Sequence, residues 1–309
     1  MDKPTVHVIT TGGTIGGKLQ VTGEVAPGLT PEELLARIPQ ATSYARVTVE
    51  DLLKVPSTLM GFSEMLTLAR RAKETLSRPD VAGVAITHGT ATMEQSAYFL
   101  DVALGEGKPV VFTGAMRNPT LPGDDGPMNL LHAILVAASP RSAGLGVLVV
   151  MGGIIHGARD VTKTYSGHIP GFQSPEFGPL GSVDEDNVFY ARRPFRRIPG
   201  VMPERITAQV ERIPSAAGSS DLLLRAAVDA GVGGVVVEAG RLTMPQVELL
   251  ERGMAGGMTV VIANPFPMGR LARGTYRHAG GEADLLHRGM IFAGTSGLKA
   301  RVKLTALLS

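Results

Sequence analysis

Short β-branched runs separated by helical stretches are the feature that most limits how this chain folds. They occur at residues 6–10, 81–87, 109–113 and 146–151, and again at 234–238 and 259–263. The runs are apolar throughout instead of alternating, which suits strands covered by helices on both faces. A doubly wound, mostly parallel α/β sheet with right-handed crossovers is therefore predicted. Helix starts are readable between the strands. Thr30-Pro31-Glu32-Glu33 reads as an N-cap, a first-turn proline and acidic residues opening a helix to about Ile38, and Ser63-Glu64 opens another to about Leu76. Between about 182 and 212 the periodicity fades into Pro, Arg and isolated aromatics before alternation resumes near Ser220. The predicted organisation is a larger N-terminal α/β domain over 1–190, a linker over 191–212 and a smaller C-terminal α/β domain over 213–309, each long enough for its own core.

Hydrophobic residues at 44% and charged residues at 19% match ordinary globular usage and exclude a disordered or collagen-like chain. The formal net charge is +2 and the basic residues are scattered, apart from Arg192, Arg193, Arg196 and Arg197, so no nucleic-acid partner is expected. That group reads as a solvated linker or an interface patch. The absence of cysteine excludes disulfides, zinc-thiolate sites and cysteine nucleophiles. Met1-Asp2-Lys3-Pro4 leads into a short strand without a basic region and a long apolar one, which makes the cytoplasm the expected compartment. The longest apolar stretch, 146–155, is far short of the ~20 residues that cross a bilayer, so no membrane partner is expected. Neither a metal nor a cofactor is expected.

In open parallel sheets, ligands bind beyond the carboxyl ends of strands, so the segments after the strands carry the chemistry. The first is Thr10-Thr11-Gly12-Gly13-Thr14-Ile15-Gly16-Gly17, where glycines permit tight turns that set hydroxyls and N–H groups beside a ligand. Gly12 to Lys18 fits the G-x-x-x-x-G-K frame of a phosphate loop, but Leu19 stands where a magnesium-binding Ser or Thr is needed and no helical pattern begins there. The second segment is Thr87-His88-Gly89-Thr90-Ala91-Thr92-Met93-Glu94 and the third Thr113-Gly114-Ala115-Met116-Arg117. The fourth, Gly157-Ala158-Arg159-Asp160-Val161-Thr162-Lys163-Thr164, is expected to follow the strand that runs through Val150. Taken singly, a Thr-Gly pair at a strand end is ordinarily a turn and a lone Lys a solvated charge. Together they place Thr14, Thr90 and Lys163 at one sheet edge. A threonine hydroxyl needs a base to become a nucleophile, and a Lys whose pKa is depressed can be that base.

These five motifs, including Asp125-Gly126-Pro127 with Asn129-Leu130 and Arg159-Asp160-Val161-Thr162-Lys163-Thr164, resemble in order and spacing the bacterial-type L-asparaginase/glutaminase family. Ala293-Gly294-Thr295 with Lys299-Ala300-Arg301-Val302 is similar to that family's terminal segment. The resemblance implies hydrolysis of a carboxamide to a carboxylic acid and ammonia, without a cofactor, by a homotetramer of intimate dimers whose sites lie at the dimer contact. It implies that Thr14 is the nucleophile forming an acyl-enzyme, that Thr90 and Lys163 belong to a second hydroxyl–base group, and that Gly13, Ser57, Thr58, Gly89, Ala91 and Ala115 line the substrate. N–H groups around Gly13, Thr14 and Thr90 are candidates for oxyanion stabilisation. Glu282 falls at the position of an acid lent by the neighbouring subunit.

Four departures from the pattern bear on the substrate. Ala91 stands where the family has the Asp that holds a substrate ammonium, and Thr58 where it usually has Gln. The flap from Gly16 to Gly28 has no tyrosine, and Glu238-Ala239-Gly240-Arg241 replaces a Gly-Asn-rich loop. Losing the Asp removes an attraction that favours charged Lys163, and it weakens recognition of α-amino acids. The expected substrate is then an amide other than L-asparagine. L-Asparagine with altered recognition, and a non-catalytic binding protein on the same fold, are the alternatives.

Overall fold

A computed structural model describes residues 3–19, 23, 25–194 and 199–309. The readings made above for Met1, Asp2, Arg196, Arg197 and part of the flap lie outside these described residues. The chain divides into two compact units, Met1–Met202 and Pro203–Ser309.

The first unit is built on an eight-stranded sheet. Its chain begins with strand β1 (Thr5–Thr10), a small antiparallel pair β2 (Gly17–Leu19) and β3 (Val25–Pro27), and the short helices α1 (Pro31–Ala36) and α2 (Ala41–Tyr44). Then come β4 (Arg46–Asp51), α3 (Phe62–Ser77), β5 (Val81–Thr87), α4 (Met93–Leu104), β6 (Val110–Thr113), α5 (Gly126–Ala138) and β7 (Val147–Met151). The hairpin partner β8 (Ile154–Gly157), the short pair β9 (Thr162–Lys163) and β10 (Phe172–Gln173), and the closing hairpin β11 (Gly181–Asp184) and β12 (Asn187–Tyr190) complete it. The sheet order is β12-β11-β8-β7-β6-β5-β1-β4, parallel from β4 to β7 and antiparallel beyond. The strands predicted at 6–10, 81–87, 109–113 and 146–151 are β1, β5, β6 and β7.

Both faces of the sheet are covered, as apolar strands require. Val6, Val8, Ala85, Val111, Leu148 and Val150 pack with α5 and with Leu34, Ile38 and Ala41. Because strand side chains alternate, Val84, Ile86, Phe112 and Val149 point to the other face, and all are fully buried. α3 and α4 lie against each other and against β5 and β7 there, with Phe62 and Phe99 in ring contact. Thr30 caps α1 through a full capping box with Glu33. α3 starts one residue earlier than Ser63, because Glu64 accepts a hydrogen bond from the Gly61 N–H.

One expectation needs correcting. The segment holding Lys163 follows β8, not β7, because Gly152 and Gly153, both with positive φ, make a two-residue reversal between Met151 and Ile154. β8 therefore runs back toward the amino edge of the parallel strands. A second turn returns the chain, with Asp160 N–H and Val161 N–H both donating to Gly157 O.

The second unit has four parallel strands, β13 (Val210–Pro214), β14 (Gly234–Glu238), β15 (Thr259–Ala263) and β16 (Ile291–Phe292), in sequence order. β13 begins inside the segment where fading periodicity predicted a linker. Helices α6 (Leu222–Asp229), α7 (Met244–Ala255) and α8 (Glu282–His287) contribute Leu224, Val247, Leu250 and Leu285 to a core with Val235, Val237 and Ile262. α9 (Gly297–Leu308) covers the opposite face through Ala300 and Leu304 against Val210, Val236 and Val261.

Candidate active site

The connection leaving β1 goes to β4 on one side, while the connection leaving β5 goes to β6 on the other. The gap between β1 and β5 is thus the topological switch point, where an open α/β sheet leaves a crevice beyond its carboxyl ends. The Thr11–Thr14 and His88–Thr90 segments flank that gap.

Backbone contacts leave no room for a side chain where these segments meet. A Cβ on Gly13 would lie 2.5 Å from Gly89 N, one on Gly89 would lie 2.5 Å from Ser57 Oγ, and one on Gly114 would lie 2.5 Å from His88 O. Gly12 and Gly13 have φ of 94° and 90°, which glycine alone adopts freely. Thr11 donates from N–H and Oγ1 to Thr87 O, and Thr92 Oγ1 donates to Ser57 O at 2.6 Å. The sequence-identified segments after β1, β5 and β6, and Ser57, therefore come together through glycine. Thr14, half-buried, opens the single 3-10 turn that follows Gly13. A strand, not a helix, follows at Gly17, so the phosphate-loop frame at Gly12 to Lys18 is not realised.

Lys163 Nζ donates to Thr90 Oγ1 at 2.8 Å. Burial holds the Lys163 pKa below the ordinary lysine value. Thr90 is 8% exposed, and Glu94, in the first turn of α4, is equally buried and accepts the Lys163 backbone N–H at 3.4 Å. A hydroxyl is thus held against an amine that favours its neutral form more than a surface lysine does. His88 is fully buried, and its pKa is pushed down to about 4, because desolvation outweighs the bond from its Nδ1 to Gly89 O at 2.7 Å. It stays neutral at ordinary pH and braces the turn that carries Thr90.

Ala115 is buried, whereas Thr58 and Ala91 are exposed at the rim. In the second unit, Glu282 opens α8, and its Oε2 accepts the Ala272 N–H at 2.7 Å, so this carboxylate organises its own loop. Arg241 is exposed and pairs through its backbone with Gly281. Glu94, Asp125 and Asn129 were quoted within motifs without a role. The readable signal was Asp-Gly-Pro at a helix start with Asn four residues after the Asp, one helical turn on. Among the described residues, no cluster of His, Asp or Glu is arranged to hold a metal ion, and no helix is long and apolar enough to cross a membrane.

Comparison with known proteins agrees with this geometry. Residues 5–196 match the family model described as asparaginase, N-terminal. L-asparaginase 2 of Escherichia coli is 35% identical over 99% of this chain and 89% of that protein. A probable L-asparaginase of Haemophilus influenzae, named as periplasmic, is 34% identical over 100% of this chain and 89% of its own length. Glutaminase-asparaginase of Acinetobacter glutaminasificans is 37% identical over 62% of this chain and 58% of that protein. With a family model over more than half its length and relatives matched almost end to end, the chain belongs to the asparaginase family of amidohydrolases.

Proposed function

We propose that this protein hydrolyses a primary carboxamide to its acid and ammonia through Thr14, on a substrate other than L-asparagine. The observation that carries this reading is the 2.8 Å contact of Lys163 with Thr90 beside the glycine-lined switch point. Thr14 Oγ attacks the amide carbon and gives up its proton to the Thr90–Lys163 pair. Backbone N–H groups at Gly13, Thr14 and Thr90 stabilise the oxyanion, a contribution of ~3 kcal/mol per donor. The C–N bond then breaks, nitrogen leaves with the relayed proton as ammonia, and water hydrolyses the acyl-Thr14 ester to free the acid.

Ser57, Thr58, Gly89, Ala91 and Ala115 line the substrate in this reading. Ala91 offers no carboxylate to an α-ammonium group, and losing such a charge-assisted bond weakens binding by ~2 kcal/mol, more than tenfold. Succinamate, which is asparagine without its α-amino group, is the expected better substrate. A homotetramer with Glu282 near a neighbour's site, in the cytoplasm, completes the proposal. Ammonia release from succinamate, L-asparagine and L-glutamine, measured for the native protein and Thr14→Ala, tests it. Equal rates in the two proteins refute the nucleophile, and a clear preference for L-asparagine refutes the altered substrate while keeping the chemistry.

A further inference from the structure

We infer that Asp125 and Asn129 form a clamp that positions residues 114–116 for catalysis, a role that rests on the amidohydrolase reading and on the placement of Ala115 beside the substrate. Asp125 stands at the N-cap of α5, where a carboxylate ordinarily accepts N–H groups of its own helix. It does not do so here. Its two oxygens accept the Met116 N–H at 3.0 and 3.1 Å, the Arg117 N–H at 2.8 Å and Asn129 Nδ2 at 2.9 Å. Asp124 serves the helix start instead, accepting the Gly126 N–H and pairing with Arg37.

Asn129 is 1% exposed and uses both ends of its amide. Nδ2 donates to Gly114 O at 3.0 Å as well as to Asp125, and Oδ1 accepts the Gly152 N–H at 2.9 Å. The segment is therefore tied at both ends, Gly114 by its carbonyl and Met116 and Arg117 by their N–H groups, with Ala115 buried between the ties. The anchor is α5, which is buried along nearly its whole length, and the turn after β7. Charge-assisted bonds of this kind are short, directional and stronger than neutral ones, which suits fixing a geometry. Holding a loop only for stability does not require a buried amide aimed at three separate elements.

Asn129→Asp keeps an acceptor for Gly152, removes the donor to Gly114 and sets a second carboxylate against Asp125. With succinamate and L-asparagine as probes, and activity expressed per folded protein, KM is expected to rise at least fivefold and kcat/KM to fall about a hundredfold, the penalty typical of a misplacement near 1 Å. A purely structural role lowers the folded fraction and leaves KM unchanged, so KM within twofold of native overturns the clamp. Should Asn129→Asp not fold, Asp125→Asn keeps an acceptor for the Met116 and Arg117 amides and opposes a donor to Asn129. Its KM is expected to rise at least threefold, and an unaltered KM overturns the inference equally. A native protein that releases no ammonia from any amide overturns the proposed function, and the clamp with it. A native protein that is active alongside variants of normal KM overturns the clamp alone.

Discussion

Gly89→Ala tests whether glycine packing, more than any single polar contact, holds the Thr14, Ser57 and Thr90 segments together. Gly89 is not among the positive-φ glycines, so the change tests space alone. The new methyl would lie 2.5 Å from Ser57 Oγ, 2.6 Å from Ser57 Cβ and 3.3 Å from Ser57 N. The hydroxyl can rotate away, but Cβ is fixed by the 3-10 turn Ser57–Leu59 and by the bond from Thr92 to Ser57 O. Carbon atoms rest comfortably near 3.5 Å, so the Ser57 turn and the Gly89 backbone must separate by about 1 Å. Overpacking of this kind destabilises by ~1–3 kcal/mol. Displacement of the same size lowers the rate about a hundredfold.

Ser57→Gly removes the obstructing atoms and by itself costs ~0.5–1 kcal/mol of backbone entropy. In the double variant the collision vanishes, so stability should exceed the additive value by ~1–2 kcal/mol. Activity should stay low, because the proposed substrate contact at Ser57 is gone. Gly16→Ala is the control: its methyl meets nothing within 4 Å, and stability should change by less than ~0.5 kcal/mol. Urea unfolding of the five proteins and ammonia release from succinamate supply the numbers. Additivity within ~0.5 kcal/mol in the Gly89–Ser57 cycle would refute the packing argument.

Lys163→Met should lower kcat by ~10²–10⁴-fold, and Lys163→Arg, whose guanidinium does not deprotonate, should lose as much; retention of a tenth of native activity by the Arg variant rules out the base role. Because burial lowers the Lys163 pKa in the fold, the folded state resists a proton that the unfolded chain accepts, so this group lowers stability fully below its folded pKa and releases that penalty as pH rises through it. Relative to native, Lys163→Met should therefore be more stable at pH 7 than in alkaline solution above the ordinary lysine range, a pH trend that a fully solvated lysine would not give. His88 likewise titrates from an ordinary 6.5 to about 4, so its neutral ring costs the fold nothing above pH 6.5 and removes about 3 kcal/mol as pH falls to about 4. His88→Asn, which keeps a donor for Gly89 O, should flatten that acid limb in urea titrations, and an unchanged limb assigns it to other groups. Ala91→Asp should raise kcat/KM for L-asparagine relative to succinamate by at least about tenfold, and an unchanged ratio removes Ala91 as the cause of selectivity.

The central strands were legible because β1, β5, β6 and β7 are buried on both faces and read as continuous apolar runs. β4 was missed for the opposite reason: Arg46-Val47-Thr48-Val49-Glu50-Asp51 lies at the sheet edge, half-exposed, and its polar alternation resembles a surface segment. The β8 reversal was missed although Gly152-Gly153 is a strong hairpin signal, because flanking apolar residues merged the two strands into one stretch. That error put Lys163 after the wrong strand, yet the expectation that it shares one sheet edge with Thr90 did not depend on which strand precedes it, because the turn after β8 brings the segment back to Thr90. The pairing of Asp125 with Asn129 one helical turn on was readable as a spacing, but the backbone groups they hold were beyond reach, because an N-cap Asp is expected to serve its own helix and nothing local shows that Asp124 takes over that task.

In the proposed reading, the residues assigned to chemistry and those assigned to recognition differ in how tightly the fold constrains them. At Gly13, Gly89 and Gly114 a single added methyl meets backbone or a fixed side-chain stem, so the relative placement of the Thr14 and Thr90 segments is set by atoms that cannot be exchanged without displacement. At Thr58 and Ala91 the side chains are exposed, and exchange there alters no packing. In the proposed reading, an Asp-to-Ala difference at position 91 therefore disturbs no packing around the Thr90–Lys163 contact, while it changes what the rim offers a ligand and the charge beside Lys163. Selectivity in such a scaffold can shift without loss of the hydrolytic machinery, and that independence is what separates the expected outcome of Ala91→Asp, a change in substrate ratio, from that of Gly89→Ala, a fall in rate on every amide.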